Sequence, residues 1–178
     1  MSLQRTKMMA AAERYADVFM ANQLTAAPTR SLVVLTCMDA RLDLFRMLGL
    51  EVGDSHILRN AGGRATDDAL RSLILSAHWL GTREFAVIHH TGCGLFGVTN
   101  AEIADRVEAA TGERPDMDFL PFTDVEASVR HDVDRVRRCS MLPSDAVVWG
   151  AIYDVHAGRL LPVDGPVRVL DGAAPVEV

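Results

Sequence analysis

Three short apolar runs, separated by segments with helical periodicity, constrain the fold of this chain more than any other feature. The runs are residues 31–36, 56–60 and 85–90. Runs without polar alternation are typical of strands that are buried on both faces of a parallel sheet. Helices are predicted between them at 42–48, ended by Gly49, and from Thr66 to Gly81. We therefore expect an α/β fold with a mostly parallel, open β-sheet flanked by helices.

Further elements are predicted on either side of these crossovers. The spacing of alanine and aromatic residues over 5–23 favours an amphipathic helix, and 100–110 and 125–138 favour two more. A strand over 146–153, a turn at 156–158 and a strand over 160–163 predict a C-terminal hairpin. The chain has 178 residues and shows no internal repeat and no Pro-rich or Gly/Ser-rich linker, so we expect one domain over 1–178.

The charge of the chain excludes several classes of partner. A net charge of −6 and a pI near 5.4 argue against binding to phosphate backbones or to anionic lipid, so we expect neither nucleic acid nor a membrane as a partner. The N-terminal apolar residues are interrupted by Glu13 and Arg14, and no run approaches the roughly 20 apolar residues of a spanning helix. Three cysteines do not make a disulfide framework. We expect a cytoplasmic protein.

Two of the three cysteines lie just beyond predicted strands. The first strand leads into Cys-Met-Asp-Ala-Arg at 37–41, and the third ends in His-Thr-Gly-Cys at 90–93. Open α/β sheets place their sites at the carboxyl ends of strands, so these segments are expected to converge. Thiolate and imidazole are ligands that Zn²⁺ prefers, and three of them leave a fourth position for water. Adjacent strand residues face opposite ways, and the spacing to Cys93 selects His90 over His89. The predicted zinc ligands are Cys37, His90 and Cys93.

Asp39 and Arg41 lie beside the first of these thiols. A carboxylate this close to a metal can fill the open position or accept a hydrogen bond from bound water, and a guanidinium can hold it in place. The same two residues can also form a local salt bridge that caps the next helix. A single cysteine at a strand end is more often a small hydrophobic residue than a ligand. Cys139, near a predicted helix end, is expected to be such a bystander.

The two motifs, Cys-x-Asp-x-Arg at 37–41 and His-x-x-Cys at 90–93, together with Arg-Asn-Ala-Gly-Gly at 59–63, resemble the β-class carbonic anhydrases, most closely their short prokaryotic branch. The similarity extends over about 31–97. It implies reversible hydration of CO₂ to bicarbonate and a proton, with zinc on Cys37, His90 and Cys93 and with Asp39 and Arg41 as the dyad that gates the fourth site. It also implies a homodimer or homotetramer whose N-terminal helix packs on the partner subunit. Weaker assignments by family position are pocket walls at Met38, Asn60, Ala61 and Gly62.

One departure and three alternatives accompany this resemblance. Many members have Asp where this chain has Gly92, so a carboxylate near the metal is missing. A related hydrolase acting on carbonyl sulfide or carbon disulfide would use the same site. A zinc-binding protein without turnover would keep Asp39 on the metal. A nucleotide-binding module would need a spaced glycine fingerprint, which Ala-Gly-Gly-Arg at 61–64 does not supply.

Overall fold

The computed structural model describes residues 2–19 and 23–169, and a five-stranded sheet forms its centre. The strand order is β2-β1-β3-β4-β5. The first four strands run parallel, and β5 returns antiparallel to β4. The predicted mostly parallel α/β sheet and its C-terminal hairpin are therefore confirmed. The strands are β1 (Leu32–Cys37), β2 (Ser55–Asn60), β3 (Glu84–His90), β4 (Val147–Asp154) and β5 (Arg159–Arg168).

The helices follow the predicted positions, with boundaries set by their caps. The Thr66 hydroxyl accepts a hydrogen bond from the backbone N–H of Ala69 and begins α3, while Gly49 ends α2 in a left-handed conformation. Thr99 and Glu102 form a reciprocal capping box at the start of α4. The helices are α1 (Leu3–Ala16), α2 (Leu44–Leu48), α3 (Asp67–Trp79), α4 (Asn100–Thr111) and α5 (Val125–Arg137).

Two elements differ in length from the prediction. Helix α1 ends at Ala16 rather than continuing toward residue 23, and residues 20–22 of the predicted helix lie outside the described residues. Strand β5 extends to Arg168, five residues beyond the predicted end, because its ladder with β4 continues past Pro162 through register shifts near Gly150. Pro162 and Gly165 interrupt the apolar pattern that would otherwise reveal the strand in the sequence.

Both faces of the sheet are covered, which explains the uninterrupted apolar strands. On β1, Val33 and Leu35 contribute to the main core, whereas Val34 belongs to a smaller cluster with Leu50 and Ile88. The main core also includes Leu73 of α3 and three valines of α5, Val129, Val133 and Val136. Helix α1, in contrast, has no buried residue. Within 2–19 and 23–169, none of the helices has the length and apolar character needed to cross a membrane.

Candidate metal centre

The three predicted ligand residues come together at the carboxyl edge of the sheet. Cys37 is the last residue of β1, His90 is the last residue of β3, and Cys93 lies in the turn that follows β3. All three side chains are buried, and their ligand atoms lie within 4.8 Å of one another. The convergence follows from the parallel register, because β1 and β3 are neighbours and end at the same edge.

His90, and not its neighbour His89, faces the two thiols. The His90 Nδ1 donates a hydrogen bond to the Thr91 carbonyl at 3.0 Å, which leaves Nε2 with a free lone pair in the neutral ring. That Nε2 is buried and has no hydrogen-bond partner among residues 2–19 and 23–169. The ring of His89 points to the other face, where its Nε2 lies 3.2 Å from both the Gly63 carbonyl and an Asp132 carboxylate oxygen.

The sulfur atoms of Cys37 and Cys93 lie close enough together to bind the same metal ion. Their separation is 4.0 Å. The hydrogen bond between them lowers the pKa of Cys37 to about 4 and raises the pKa of Cys93, since one proton between the sulfurs stabilises a thiolate at Cys37. Two sulfurs bound to zinc at about 2.3 Å in tetrahedral geometry lie about 3.8 Å apart. The sulfur spacing, the unpartnered Nε2 and the donor types therefore fit a Zn²⁺ ion.

Asp39 and Arg41 form a two-pronged ion pair at the edge of this cluster. Arg41 donates from Nε to Asp39 Oδ1 at 2.9 Å and from Nη2 to Oδ2 at 2.8 Å, and its backbone N–H also bonds Oδ1. These bonds hold the pKa of Asp39 well below its usual range. The Oδ2 atom is 3.8 Å from His90 Nε2. An ionised carboxylate is thus held beside the ligand atoms. The predicted local salt bridge is present, but its predicted capping role is wrong, because the Asp43 side chain caps the next helix, α2.

Gly92 completes the support of this ion pair through its backbone. Its carbonyl accepts a hydrogen bond from Arg41 Nη2 at 2.8 Å, and its φ of +63° is a conformation that glycine adopts easily. A Cβ at this position would lie 3.7 Å from Arg41 Nη1. A side-chain carboxylate at residue 92 would therefore compete with Asp39 for Arg41. Among residues 2–19 and 23–169, Asp39 is the carboxylate that pairs with Arg41.

Arg59 supports the same loop, and sequence reasoning gave it no role. Its guanidinium donates to the carbonyl oxygens of Cys37 at 3.0 Å, Asp39 at 2.6 Å and Leu42 at 3.4 Å. The signal available in the sequence was the position of Arg59 near the end of β2, the strand that pairs with β1. Three bonds from one side chain fix the loop that carries the first thiol and the carboxylate.

The residues predicted as pocket walls occupy the loops behind the thiols. Met38 is exposed and donates its backbone N–H to the Asn60 carbonyl. The Asn60 side chain bonds the backbone of Arg64 in both directions and so closes the turn at Ala61–Gly63. Gly62 has a φ of +77°, and a Cβ there would lie 3.0 Å from the Leu95 side chain. Asn60 and Ala61 line a cavity of about 370 Å³ whose described walls include none of the three ligand residues.

Cys139 lies away from this cluster. It is buried in the main hydrophobic core with side chains of α5 and β4, and it follows the end of α5. The structure places it with apolar neighbours, as expected for a bystander.

Fold and site together define a class: an α/β protein with a parallel sheet and a candidate Cys-His-Cys metal centre at its carboxyl edge. A family model described as carbonic anhydrase matches residues 32–115. β-Carbonic anhydrase 1 of Mycobacterium tuberculosis is 36% identical over 137 residues, covering 77% of this chain and 84% of that protein. A carbon disulfide hydrolase of Acidianus sp. is 33% identical over 156 residues, covering 74% and 76%.

The solved structure of carbonic anhydrase from Streptococcus mutans matches this fold with a TM-score of 0.88 at 42% identity, covering 92% of this chain and 99% of that chain. The chain belongs to the β-carbonic anhydrase family, a zinc-dependent family of lyases named for carbonate dehydratase activity. The resemblance inferred from the two strand-end motifs is therefore confirmed.

Proposed function

We propose that this protein catalyses the zinc-dependent, reversible hydration of CO₂ to bicarbonate and a proton. The observation that supports this proposal is the buried cluster of Cys37, His90 and Cys93 beside an ionised Asp39 that Arg41 holds. The three cluster residues would hold the ion. Asp39 and Arg41 would control access to its fourth position.

Zn²⁺ bound with an open position would make a water molecule acidic enough to attack CO₂ near neutral pH, although two thiolates acidify it less than three imidazoles do. Asp39 would compensate, because its ionised carboxylate lies where it could accept a hydrogen bond from such a water. Arg41 keeps that carboxylate from taking the open position, and it is itself anchored by the Gly92 carbonyl. The dyad thus keeps the site open while it holds a hydrogen-bond acceptor close by.

The surroundings of the thiols suit a small uncharged substrate. Cys37 and Cys93 belong to a hydrophobic cluster that also contains Leu42, Leu44 and Phe122. Apolar side chains give no hydrogen bonds to a charged product, while a linear, nonpolar molecule would contact them at little desolvation cost. Bicarbonate would therefore be bound less favourably than CO₂ by these side chains, which would favour its release.

We propose further that the chain forms a single domain that works as a homodimer or homotetramer. Helix α1 supports this, since it has no buried residue and exposes apolar side chains that include Met8, Met9 and Tyr15. A second subunit would cover them. Native mass spectrometry at micromolar concentration tests the assembly, and a protein that is monomeric at all concentrations would refute it.

The test of the proposed activity combines metal analysis with stopped-flow CO₂ hydration across pH. We expect one zinc per chain, turnover that depends on it, and loss of both in Cys93→Ala. Cys139→Ala is the matched control, because it removes a buried thiol outside the cluster and should keep zinc and activity. Folded protein without zinc would refute the proposal. Stoichiometric zinc without turnover at any pH would favour a non-catalytic zinc protein.

A second candidate is hydrolysis of carbon disulfide or carbonyl sulfide. The 33% identity to a carbon disulfide hydrolase favours it as an alternative, and the same apolar walls would admit these linear molecules. Each C–S bond broken by water releases one hydrogen sulfide, and CO₂ is the final carbon product. Sulfide release and CO₂ hydration measured on one preparation decide between them: a higher kcat/KM for the sulfur compound would replace the first candidate.

A further inference from the structure

A buried ion pair lies behind the metal centre and has no role in the chemistry described above. Arg64 Nε donates to Asp132 Oδ2 at 2.7 Å, and the two side chains are only 8% and 3% exposed. Arg64 follows the turn at Ala61–Gly63, and Asp132 lies on α5. Removing two charges from water is costly, and apolar residues often stabilise a core equally well. The stability of the core alone therefore does not account for this pair.

Asp132 contacts β3 directly and is linked to β1 through His89 and the turn at Ala61–Gly63. Its Oδ2 lies 3.2 Å from Nε2 of His89, the residue beside His90 on β3. The same Nε2 is 3.2 Å from the Gly63 carbonyl. Gly63 in turn packs directly on β1, since a Cβ there would lie 2.9 Å from the backbone nitrogen of Cys37. The His89 ring, held by the Asp132 carboxylate, thus connects the strand end that carries the imidazole to the turn that packs on the strand end carrying the first thiol.

Arg64 also contacts the segment Leu120–Phe122, which packs against the two thiols. Its Nη1 donates to the Leu120 carbonyl at 2.5 Å, and its guanidinium lies 5.9 Å from the centre of the Phe122 ring. Leu120 has a φ of +56°, a strained conformation for a leucine that requires support. Phe122 packs with Cys37 and Cys93, and its backbone N–H bonds the Leu95 carbonyl in the loop after Cys93.

We propose that Arg64 and Asp132 are positioning residues for the metal centre, holding the two ligand-bearing strand ends and the Leu120–Phe122 segment at fixed separations. Neither residue touches the metal or the substrate. The pair acts through His89, Gly63 and Leu120. This inference rests on the proposed function, because the site that the pair positions is the zinc site assigned there.

The test replaces the pair with apolar residues, Arg64→Met together with Asp132→Leu, so that no charge is left unpaired in the core. The readouts are the Zn²⁺ dissociation constant from chelator competition, the visible absorption of the Co²⁺ form, and the alkylation rates of Cys37 and Cys93 in the metal-free protein, resolved by mass spectrometry. We expect zinc binding to weaken by about 10- to 100-fold, as is typical when groups that orient metal ligands are removed. We also expect an altered Co²⁺ spectrum and faster alkylation of both thiols.

Leu73→Ala is the control that shows whether a general loss of stability is enough to weaken zinc binding. Leu73 is buried in the main core on α3, where its truncation lowers stability without altering any group that bonds the site. It should leave the zinc dissociation constant within about twofold of wild type. Zinc affinity and alkylation rates equal to wild type in the apolar double variant would overturn the proposal. So would an equal loss of affinity in Leu73→Ala.

If the double variant does not fold, Arg64→Lys tests the same proposed positioning role. Lysine keeps the charge beside Asp132 but lacks the planar fork that bonds Asp132 and Leu120 together. Weaker zinc binding and faster alkylation would support positioning, and wild-type values would overturn it. A wild-type protein that binds metal without hydrating CO₂ would refute the proposed function, while the affinity and alkylation measurements would still decide the role of the pair.

Discussion

Gly150 of β4 lies directly beneath two valines of α5, and adding one methyl group there should destabilise the protein measurably. A Cβ at Gly150 would overlap Val129 Cγ1 and lie 2.9 Å from Val133 Cγ2. Both valines are fully or nearly buried, and a valine in a helix has one strongly preferred rotamer. The two valine side chains therefore have no free space into which they could rotate, and α5 must shift away from the sheet to accommodate the added methyl group.

The expected cost follows from the general behaviour of overfilled cores. An added methyl group in a well-packed core costs about 1–3 kcal/mol. In a domain of this size each kcal/mol lowers the Tm by about 2–4 °C, so Gly150→Ala should lower the Tm by about 2–12 °C. Urea unfolding at constant metal loading measures the free energy directly, because a bound metal would otherwise add its own stabilisation.

A second variant separates overpacking from other effects of the substitution. Val129→Ala alone leaves a cavity and should also destabilise the protein. Combined with Gly150→Ala it should cost less than the sum, because the new methyl group occupies the vacated space. Gly165→Ala is the control: apart from its chain neighbours, none of the described atoms lies within 4 Å of the added Cβ, so stability should stay within about 0.5 kcal/mol of wild type. Wild-type stability in Gly150→Ala, or strict additivity in the double variant, would refute the packing argument.

Three further predictions concern the proposed metal centre. Asp39→Asn should keep its zinc but lower kcat for CO₂ hydration by about 10²-fold, as loss of a positioned hydrogen-bonding group in an active site commonly does; full activity in a stopped-flow assay would exclude that role for Asp39. Arg41→Met should let the pKa of Asp39 rise toward its usual value near 4, because Arg41 is what lowers it. A carboxylate whose pKa is lower in the folded than in the unfolded protein stabilises the fold at pH values above its unfolded-state pKa, and that stabilisation is lost as pH falls through its folded-state pKa. Arg41→Met lacks this stabilisation, so its acid unfolding should begin at a higher pH than that of wild type. Identical acid-unfolding curves would contradict the ion pair. Chelation of the metal should abolish activity and expose Cys37 and Cys93, but not Cys139, to alkylation, with Zn²⁺ restoring wild-type behaviour; equal labelling of all three would contradict the assigned cluster.

The metal ligands could be predicted because their positions depend on local features of the sequence. Cys37 and His90 are the final residues of their strands, and the parallel register brings those ends to one edge. The choice of His90 over His89 follows from the alternation of side chains along a strand. The Asp39–Arg41 pair is separated by a single residue, so it too lies within reach of local reasoning.

The groups that support the site could not be predicted in the same way. Arg64 and Asp132 are 68 positions apart, and nothing in the periodicity of either segment relates one to the other. Arg59 lies on a strand whose pairing with β1 becomes known only when the sheet order is known. The full length of β5 likewise depends on the ladder that β4 offers it rather than on its own apolar pattern.

The sequence by itself determined the α/β class, the helix and strand positions and the identity of the Cys37, His90 and Cys93 cluster, since caps, side-chain periodicity and strand ends act over a few residues. Only the tertiary structure decided how that cluster is held. The Gly92 carbonyl, 51 positions along the chain, anchors the Arg41 side chain that holds Asp39 beside it. The buried Arg64–Asp132 pair joins segments from three parts of the chain behind it. Such contacts arise when distant residues are packed into the same low-dielectric space, where each buried charge must find a partner.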